Sequence, residues 1–312
     1  MARLDEHARG VYIIAATPFT DTGDIDFDST DRMVDFYLSS GVTGITVLGM
    51  MGEASKLTME ESRKFVRYVV ARVKDAVPIV AGVSSPGFVG MAELAKSVMD
   101  DGCAGVMVAP PHTLRTDDQI VQYFQQTAKH LGPIPFVLQD FPLSTNVQIT
   151  TGVINRIIAS TPTCVMLKHE DWPGLHKISA LRQASKTGEA RRISILVGNG
   201  GMFLTEELDR GADGAMTGFA FPEMMVGICK AHAEGHMDLA RDLFDAYLPL
   251  MRYEQQPGLG LAVRKYVLAK RGVVKWPTLR EPRTSLGSAE ISEIETLLAR
   301  QTKRLKEIGA WT

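Results

Sequence analysis

The sequence predicts an α/β protein, a (β/α)8 TIM barrel with a C-terminal helical extension. Three observations predict it. Eight short apolar runs punctuate roughly the first 220 residues. Amphipathic stretches of helical length separate them. A Gly-x-x-Gly turn recurs where a helical stretch gives way to a run. The runs are Val11–Ala16, Gly44–Leu48, Pro78–Val83, Gly105–Ala109, Pro135–Leu138, Cys164–Leu167, Ile193–Val197 and Gly214–Thr217. They are rich in Val, Ile and Met and do not alternate with polar residues, as expected of strands covered on both faces.

The stretches Asp31–Ser40, Thr58–Ala76, Val89–Asp101 and Thr116–His130 read as helices between those strands. Strand and helix in strict alternation imply a parallel sheet. The recurring turns are Gly41-Val42-Thr43-Gly44, Gly102-Cys103-Ala104-Gly105 and Gly211-Ala212-Asp213-Gly214. The first glycine of each suits the position just past a helix, where φ is positive. The second opens the next strand. Eight near-equal units favour a closed barrel over an open, doubly wound sheet.

Beyond Pro222 no strand signal recurs. Met224–Glu234, Met237–Tyr253, Gly258–Arg271 and Ser288–Lys306 read as helices, and Pro257, Pro277 and Pro282 punctuate the joins. Residues 1–221 are therefore expected to form the barrel. Residues 222–312 are expected to be helices packed on it, without independence as a domain. The segment 272–286 carries no element signal and reads as the loosest part of the chain.

The bulk composition excludes several classes of function. The 312 residues are 45% hydrophobic and 22% charged, an ordinary globular balance. A formal net charge of −2 leaves no basic excess for nucleic acid or an anionic lipid surface. The opening residues are polar, without the apolar core of a secretory signal, and no run approaches a membrane span. A cytoplasmic location is expected. Cys103, Cys164 and Cys229 lie far apart in apolar settings, as reduced buried thiols do.

A barrel of this kind carries its chemistry at the C-terminal ends of its strands. The sixth run is followed at once by Lys168. A strand tip carries this ammonium into a dry setting, which favours the neutral, nucleophilic amine. The alternatives are a snorkelling lysine and a buried ion pair with Glu170 or Asp171. After the second run, Gly49-Met50-Met51-Gly52-Glu53 forms a tight loop whose backbone N–H groups suit a carboxylate, with Glu53 as a structural acceptor. Gln139, at the end of the fifth run, points into the mouth or packs as a satisfied polar group. Gly198-Asn199-Gly200-Gly201, after the seventh, lacks a flanking cation and suits close backbone approach to a small substrate. His112, after the fourth, is a candidate proton carrier or a hydrogen-bonded loop residue. His169, Glu170 and Asp171 are consecutive and cannot converge on one ion, so no metal site is expected, and no cofactor.

Together these residues resemble the dihydrodipicolinate synthase / N-acetylneuraminate lyase family of class I aldolases. The matching features are Thr17-Pro18-Phe19 after the first strand, the Gly49-x-x-Gly52-Glu53 loop, Lys168 at the tip of the sixth strand, and Gly214-Ala215-Met216-Thr217 in the eighth. The resemblance runs from about Gly10 to about Leu305.

The resemblance implies that Lys168 forms an imine with C2 of pyruvate or a related 2-oxo acid. It implies that the backbone of Met50 and Met51 holds the substrate carboxylate, and that the protein is a homo-oligomer, a dimer or a tetramer. The residues it places around a substrate are Thr17, Met50, Met51, Ser144, Gly198, Asn199 and Met216, with Lys168, Gln139 and His112 as catalytic groups. Five positions depart from the family pattern. Gln139 stands where the family has a Tyr, Met50 and Met51 where it has two Thr, and Ser144 where the synthases have an Arg. His112 replaces a further Tyr. Gln139-Asp140-x-Pro142 and Gly214-Ala215-Met216-Thr217-Gly218-x-x-Phe221-Pro222 resemble the branch that dehydrates 2-keto-3-deoxy-L-arabonate. The expected activity is a lyase reaction on a 2-keto-3-deoxy acid, by dehydration or aldol chemistry. A synthase with an altered relay and a silent 2-oxo-acid-binding protein are the alternatives.

Overall fold

The computed structural model describes residues 3–172 and 174–310. Eight strands form the barrel: β1 (Gly10–Ile14), β2 (Gly44–Val47), β3 (Ile79–Gly82), β4 (Gly105–Val108), β5 (Phe136–Asp140), β6 (Cys164–His169), β7 (Ser194–Val197) and β8 (Gly214–Ala215). They pair in sequence order, all parallel. β8 closes the barrel onto β1 through Gly10 with Gly214 and Val11 with Ala215.

Around them run α1 (Phe27–Ser39), α2 (Met59–Val73), α3 (Phe88–Asp100), α4 (Asp117–Leu131), the short α5 (Pro142–Thr145), α6 (Thr151–Ser160), α7 (Leu175–Lys186), α8 (Leu204–Asp209) and α9 (Pro222–Ala233). α9 packs on β1 and so closes the ring of helices. Beyond it, α10 (Met237–Glu254) packs on α9, and α11 (Gly260–Lys270) and α12 (Ser288–Glu307) pack on α10. No helix among the described residues is long and apolar enough to cross a membrane.

Local sequence sets the helix ends. Asp26 caps α1 by accepting from the Ser29 N–H, and reciprocal capping boxes, Thr58 with Glu61 and Thr116 with Gln119, open α2 and α4. Such caps contribute about 1 kcal/mol each. Gly41, Gly102 and Gly211 stand just past α1, α3 and α8 with φ of +79°, +114° and +94°. After α3, Gly102 N–H donates to Met99 O and Cys103 N–H to Val98 O, the paired closure that left-handed glycine permits. At Gly214 the constraint is space: a Cβ there would overlap the backbone of Gly10 where β8 meets β1.

Two cores result. Inside the barrel pack Tyr12, Ile14, Val80, Met107, Val137 and Leu196, with Leu4 entering from below. Between sheet and helices lies a larger core that includes Ile13, Ile45, Phe124, Phe136 and Ile154. The segment 272–286 is irregular, but it is not loose. Val273, Val274 and Leu279 are buried, and the Arg280 guanidinium binds Glu61, Gly23 O and Lys56 O. Its order comes from contacts distant in sequence, which a search for periodic elements does not register. Cys103 and Cys164 are buried, Cys229 is half-buried, and burial pushes all three thiols up to about 12.

One buried acid gives a test of this packing. On α8, burial pushes the Glu207 carboxyl up to about 8, and neighbouring Glu206 adds to the rise. Its Oε2 is buried without a hydrogen-bond partner. The folded chain therefore keeps this proton to about pH 8, whereas the unfolded chain releases it near 4.5. The stability linked to that proton is full below the unfolded value and is lost as pH rises through the folded one. Glu207→Gln should thus melt above the parent at about pH 9 and with it at about pH 4. Calorimetry that finds the same difference at both pH values would refute this.

Candidate active site

Strand β6 delivers the lysine, and an irregularity decides where it points. Cys164 pairs with Phe136 but Met166 pairs with Val137, which leaves Val165 as an extra residue. Cys164 and Leu167 lie in the outer core, while Val165 and Met166 both lie in the inner one. The bulge advances the alternation by one place. Lys168 consequently faces inward with Met166, and His169 faces outward with Leu167. Strict alternation from Cys164 would have turned Lys168 out of the barrel.

Lys168 does not stand alone. Its Nζ lies 2.9 Å from Glu170 Oε2, and Gln139 Nε2 donates to the same oxygen at 2.7 Å. Lys168, Glu170 and Gln139 are only 5%, 5% and 2% exposed. The dry amine expected from the sequence is therefore one half of a buried ion pair. Removing either partner would leave the other charge stranded, which typically costs about 3–5 kcal/mol. Glu170 is held in turn: its N–H donates to Asp140 O at 2.8 Å, and its carbonyl accepts from Asn199 Nδ2 at 3.3 Å. Gly198 leaves the room it needs, since a Cβ there would overlap the Glu170 side chain.

The outward faces of the same strands carry a separate cluster. Lys177 Nζ bridges Asp140 and Asp171 at 2.7 Å each, and His169 Nε2 bonds Gly174 O. His169 and Asp171 thus belong to this outer cluster, whereas Glu170 turns inward to Lys168. Among the described residues no group of three or more His, Cys, Asp or Glu side chains is placed to hold a metal ion.

Past β2, Leu48 and Glu53 both adopt φ of 55° and bracket a 3-10 turn, Met50–Gly52. The turn is closed by the N–H groups of Gly52, Glu53 and Ala54. Those of Met50 and Met51 are not among its donors and stand at its N-terminal edge, where helical turns leave N–H groups free for an anion. Thr17 Oγ1 donates to Gly52 O at 2.5 Å and ties the turn to the end of β1. Glu53 is a structural acceptor: Lys265 Nζ, Lys56 Nζ and Arg280 N–H all donate to its carboxylate. Met51 packs against the inner core, which also contains Met216. Met50 is 42% exposed at the rim, where Ser144 Oγ donates to its sulfur at 3.1 Å across from the β5 loop.

Of the residues singled out by the sequence, the structure gathers Lys168, Gln139, Asn199 and Gly198 around Glu170. It joins Thr17 to the Met50–Met51 turn and Ser144 to Met50. Gly200 N–H donates to Thr217 Oγ1, fixing the β7 loop against β8. His112 lies exposed on the loop after β4, and none of the hydrogen bonds around Lys168 reaches it. The residue that sequence reasoning undervalued is Glu170. Its signal was the two-residue spacing from Lys168, which puts both side chains on one face of an extended chain. Lys265 gave no local signal, because only the fold brings α11 to the β2 loop.

Fold and site together define a (β/α)8-barrel enzyme with a buried lysine–carboxylate pair at its mouth. Residues 7–301 match the profile of the Dihydrodipicolinate synthetase family, and the chain belongs to that family and is a lyase. It is 28% identical to L-2-keto-3-deoxyarabonate dehydratase of Azospirillum brasilense over 282 residues, 89% of each chain. It is 29% identical to a 4-hydroxy-tetrahydrodipicolinate synthase of Pseudomonas aeruginosa over 247 residues, 77% of this chain and 81% of the other. A crystal structure of a dihydrodipicolinate synthase from Rhodopseudomonas palustris is 50% identical, with a TM-score of 0.94 over 96% of this chain and all of the other.

The packing of Gly198 on Glu170 can be tested directly. Gly198→Ala should push Glu170 away from Lys168, visible as loss of the 2.9 Å contact in a crystal structure of the variant. Overpacking of this kind costs about 1–3 kcal/mol in unfolding free energy. An unmoved pair and unchanged stability would show that Gly198 is not needed for this arrangement.

Proposed function

We propose that the protein is a lysine-imine dehydratase of a 2-keto-3-deoxy sugar acid, with Glu170 as its acid–base group. The observation that carries this reading is the Glu170 carboxylate within hydrogen-bond reach of both Lys168 Nζ and Gln139 Nε2. Gln139 cannot exchange protons as a phenol does, but its amide donates and so orients a neighbour that can.

In this reading the amides of Met50 and Met51 receive the substrate carboxylate. Thr17 supports their turn, Met216 lines the floor, and Gly198 and Asn199 line the wall. Ser144 and Met50 face the distal end of the substrate. Glu170 accepts a proton from the Lys168 ammonium, the freed amine bonds to C2, and Glu170 returns that proton to the former carbonyl oxygen, which leaves as water to give the protonated imine and the carboxylate again. The imine draws electrons from C3, whose proton passes to Glu170. The C4–O bond then breaks, and the hydroxyl leaves as water with that proton. Water hydrolyses the unsaturated imine and returns the amine. No step is routed through His112, which stands exposed on the rim.

Incubation with pyruvate or a 2-keto-3-deoxy acid, then borohydride and mass spectrometry, should place one reduced adduct on Lys168. Glu170→Gln should still be trapped but should lose about 10²–10⁴-fold in dehydration rate, the range of a lost acid–base group. Absence of any Lys168 adduct would end the imine reading. Full turnover in Glu170→Gln would end the role given to Glu170.

A second reading, condensation of pyruvate with aspartate semialdehyde, is favoured by the name of the 50%-identical neighbour. Ser144 and Gln139 weigh against it, because neither supplies the cation or the phenol of that reaction. Pyruvate consumption that requires aspartate semialdehyde would establish it over dehydration. Met50, Val89, Leu143, Trp172 and Phe203 stand exposed on or beside loops that follow strands. Such an apolar rim supports assembly into a homo-oligomer.

A further inference from the structure

Among charged side chains outside the mouth, Lys265 is one of the most completely enclosed. It comes from α11, beyond the ring of barrel helices, and is 1% exposed. Its ammonium donates to Glu53 Oε1 at 2.6 Å, Thr17 O at 2.8 Å and Thr278 O at 2.9 Å, and lies 4.3 Å from the centre of the Phe19 ring. Three parts of the chain meet on one nitrogen: the end of β1, the turn after β2, and the C-terminal segment. All three of its protons are used.

Two of those bonds bear on the Met50–Gly52 turn. Glu53 is the residue that ends it, in the left-handed region with φ of 55°, where a non-glycine residue is held only by its surroundings. Thr17 is the residue whose hydroxyl grips Gly52 O. Burial lowers the Lys265 amine to about 8, opposed by the Glu53 charge, while Lys56 and Arg280 add to the lowering. Those three are the charged groups facing it. The other oxygen of Glu53 is held by Lys56 Nζ at 2.8 Å and Arg280 N–H at 3.0 Å.

We infer that Lys265 is a positioning residue for the substrate carboxylate, acting through Glu53 and Thr17 to hold the amides of Met50 and Met51 at the angle an anion needs. The inference rests on the imine reading above, in which those amides receive the carboxylate. Lys265 touches neither Lys168 nor Glu170, so its loss weakens binding and spares the covalent step. A lysine that served stability alone would lower the melting temperature without moving affinity.

The test is borohydride trapping of Lys168 over a range of pyruvate concentrations, in the parent, Lys265→Met, Lys56→Met and Arg271→Met. Met keeps the length and apolar stem of the lysine and removes its charge. In Lys265→Met the half-saturating pyruvate concentration should rise at least tenfold, about 1.4 kcal/mol of binding. The trapping rate at saturation should stay within about threefold of the parent. Lys56→Met removes a partly exposed donor from the same carboxylate. It should shift half-saturation the same way by about two- to threefold, and it keeps the test open should Lys265→Met not fold. Arg271→Met breaks an ion pair between α11 and Glu223, remote from the turn, and should lower the melting temperature with half-saturation unmoved. Unchanged half-saturation in a folded Lys265→Met, or in Lys56→Met when Lys265→Met does not fold, overturns the inference. So does an equal shift in Arg271→Met. Failure of the parent to form any adduct overturns the imine reading instead.

Discussion

The contact on which the site depends is the ion pair between Lys168 and Glu170 inside the closed mouth of the barrel. Two unlike charges there are tolerable only because each satisfies the other, and because Gln139 takes up a remaining place on the carboxylate. The arrangement makes further demands on its surroundings. The β6 bulge must turn the lysine inward, Gly198 must leave space for the acid, and Asn199 must hold the backbone behind it. In the proposed reading, this amine beside its own proton acceptor carries out imine chemistry without a phenol. That reading assigns to Glu170, two residues from the lysine, the proton transfer that the amide of Gln139 cannot perform.

A second buried charge plays a matching part at the other side of the mouth. The ammonium of Lys265 fastens the turn after β2 to the end of β1 and to the C-terminal segment. Arg280, from the irregular segment 272–286, adds its own N–H to Glu53 and clasps Glu61, whose carboxyl it holds down at about 2. The C-terminal helices are therefore part of the scaffold of the site. Their charges reach inward to shape a loop that carries no charged donor of its own for an anion.

The two devices differ in a way that suits their tasks. Around Lys168 the hydrogen-bonding groups are few and a substrate can compete for them. Around Lys265 every donor is committed, and an aromatic ring covers the remaining face. The proposed function has the first lysine react, whereas the second is fixed where it is, although both are buried and both face a glutamate.

The sequence by itself determined the barrel. Val- and Ile-rich runs with no polar alternation can be buried only between an inner and an outer core, and Gly41, Gly102 and Gly211 mark where helices must stop. It also determined that Lys168 sits at a strand tip and that Met50 and Met51 lie in a glycine-bounded turn. Only the tertiary structure decided which way Lys168 faces, since that depends on a one-residue register shift between β5 and β6 that no local pattern encodes. Only the tertiary structure brought Lys265 and Arg280 to Glu53, more than 200 residues away along the chain. Periodicity is a property of neighbours in sequence, whereas charge pairing in a dry interior is settled by whichever groups the closed barrel leaves without water.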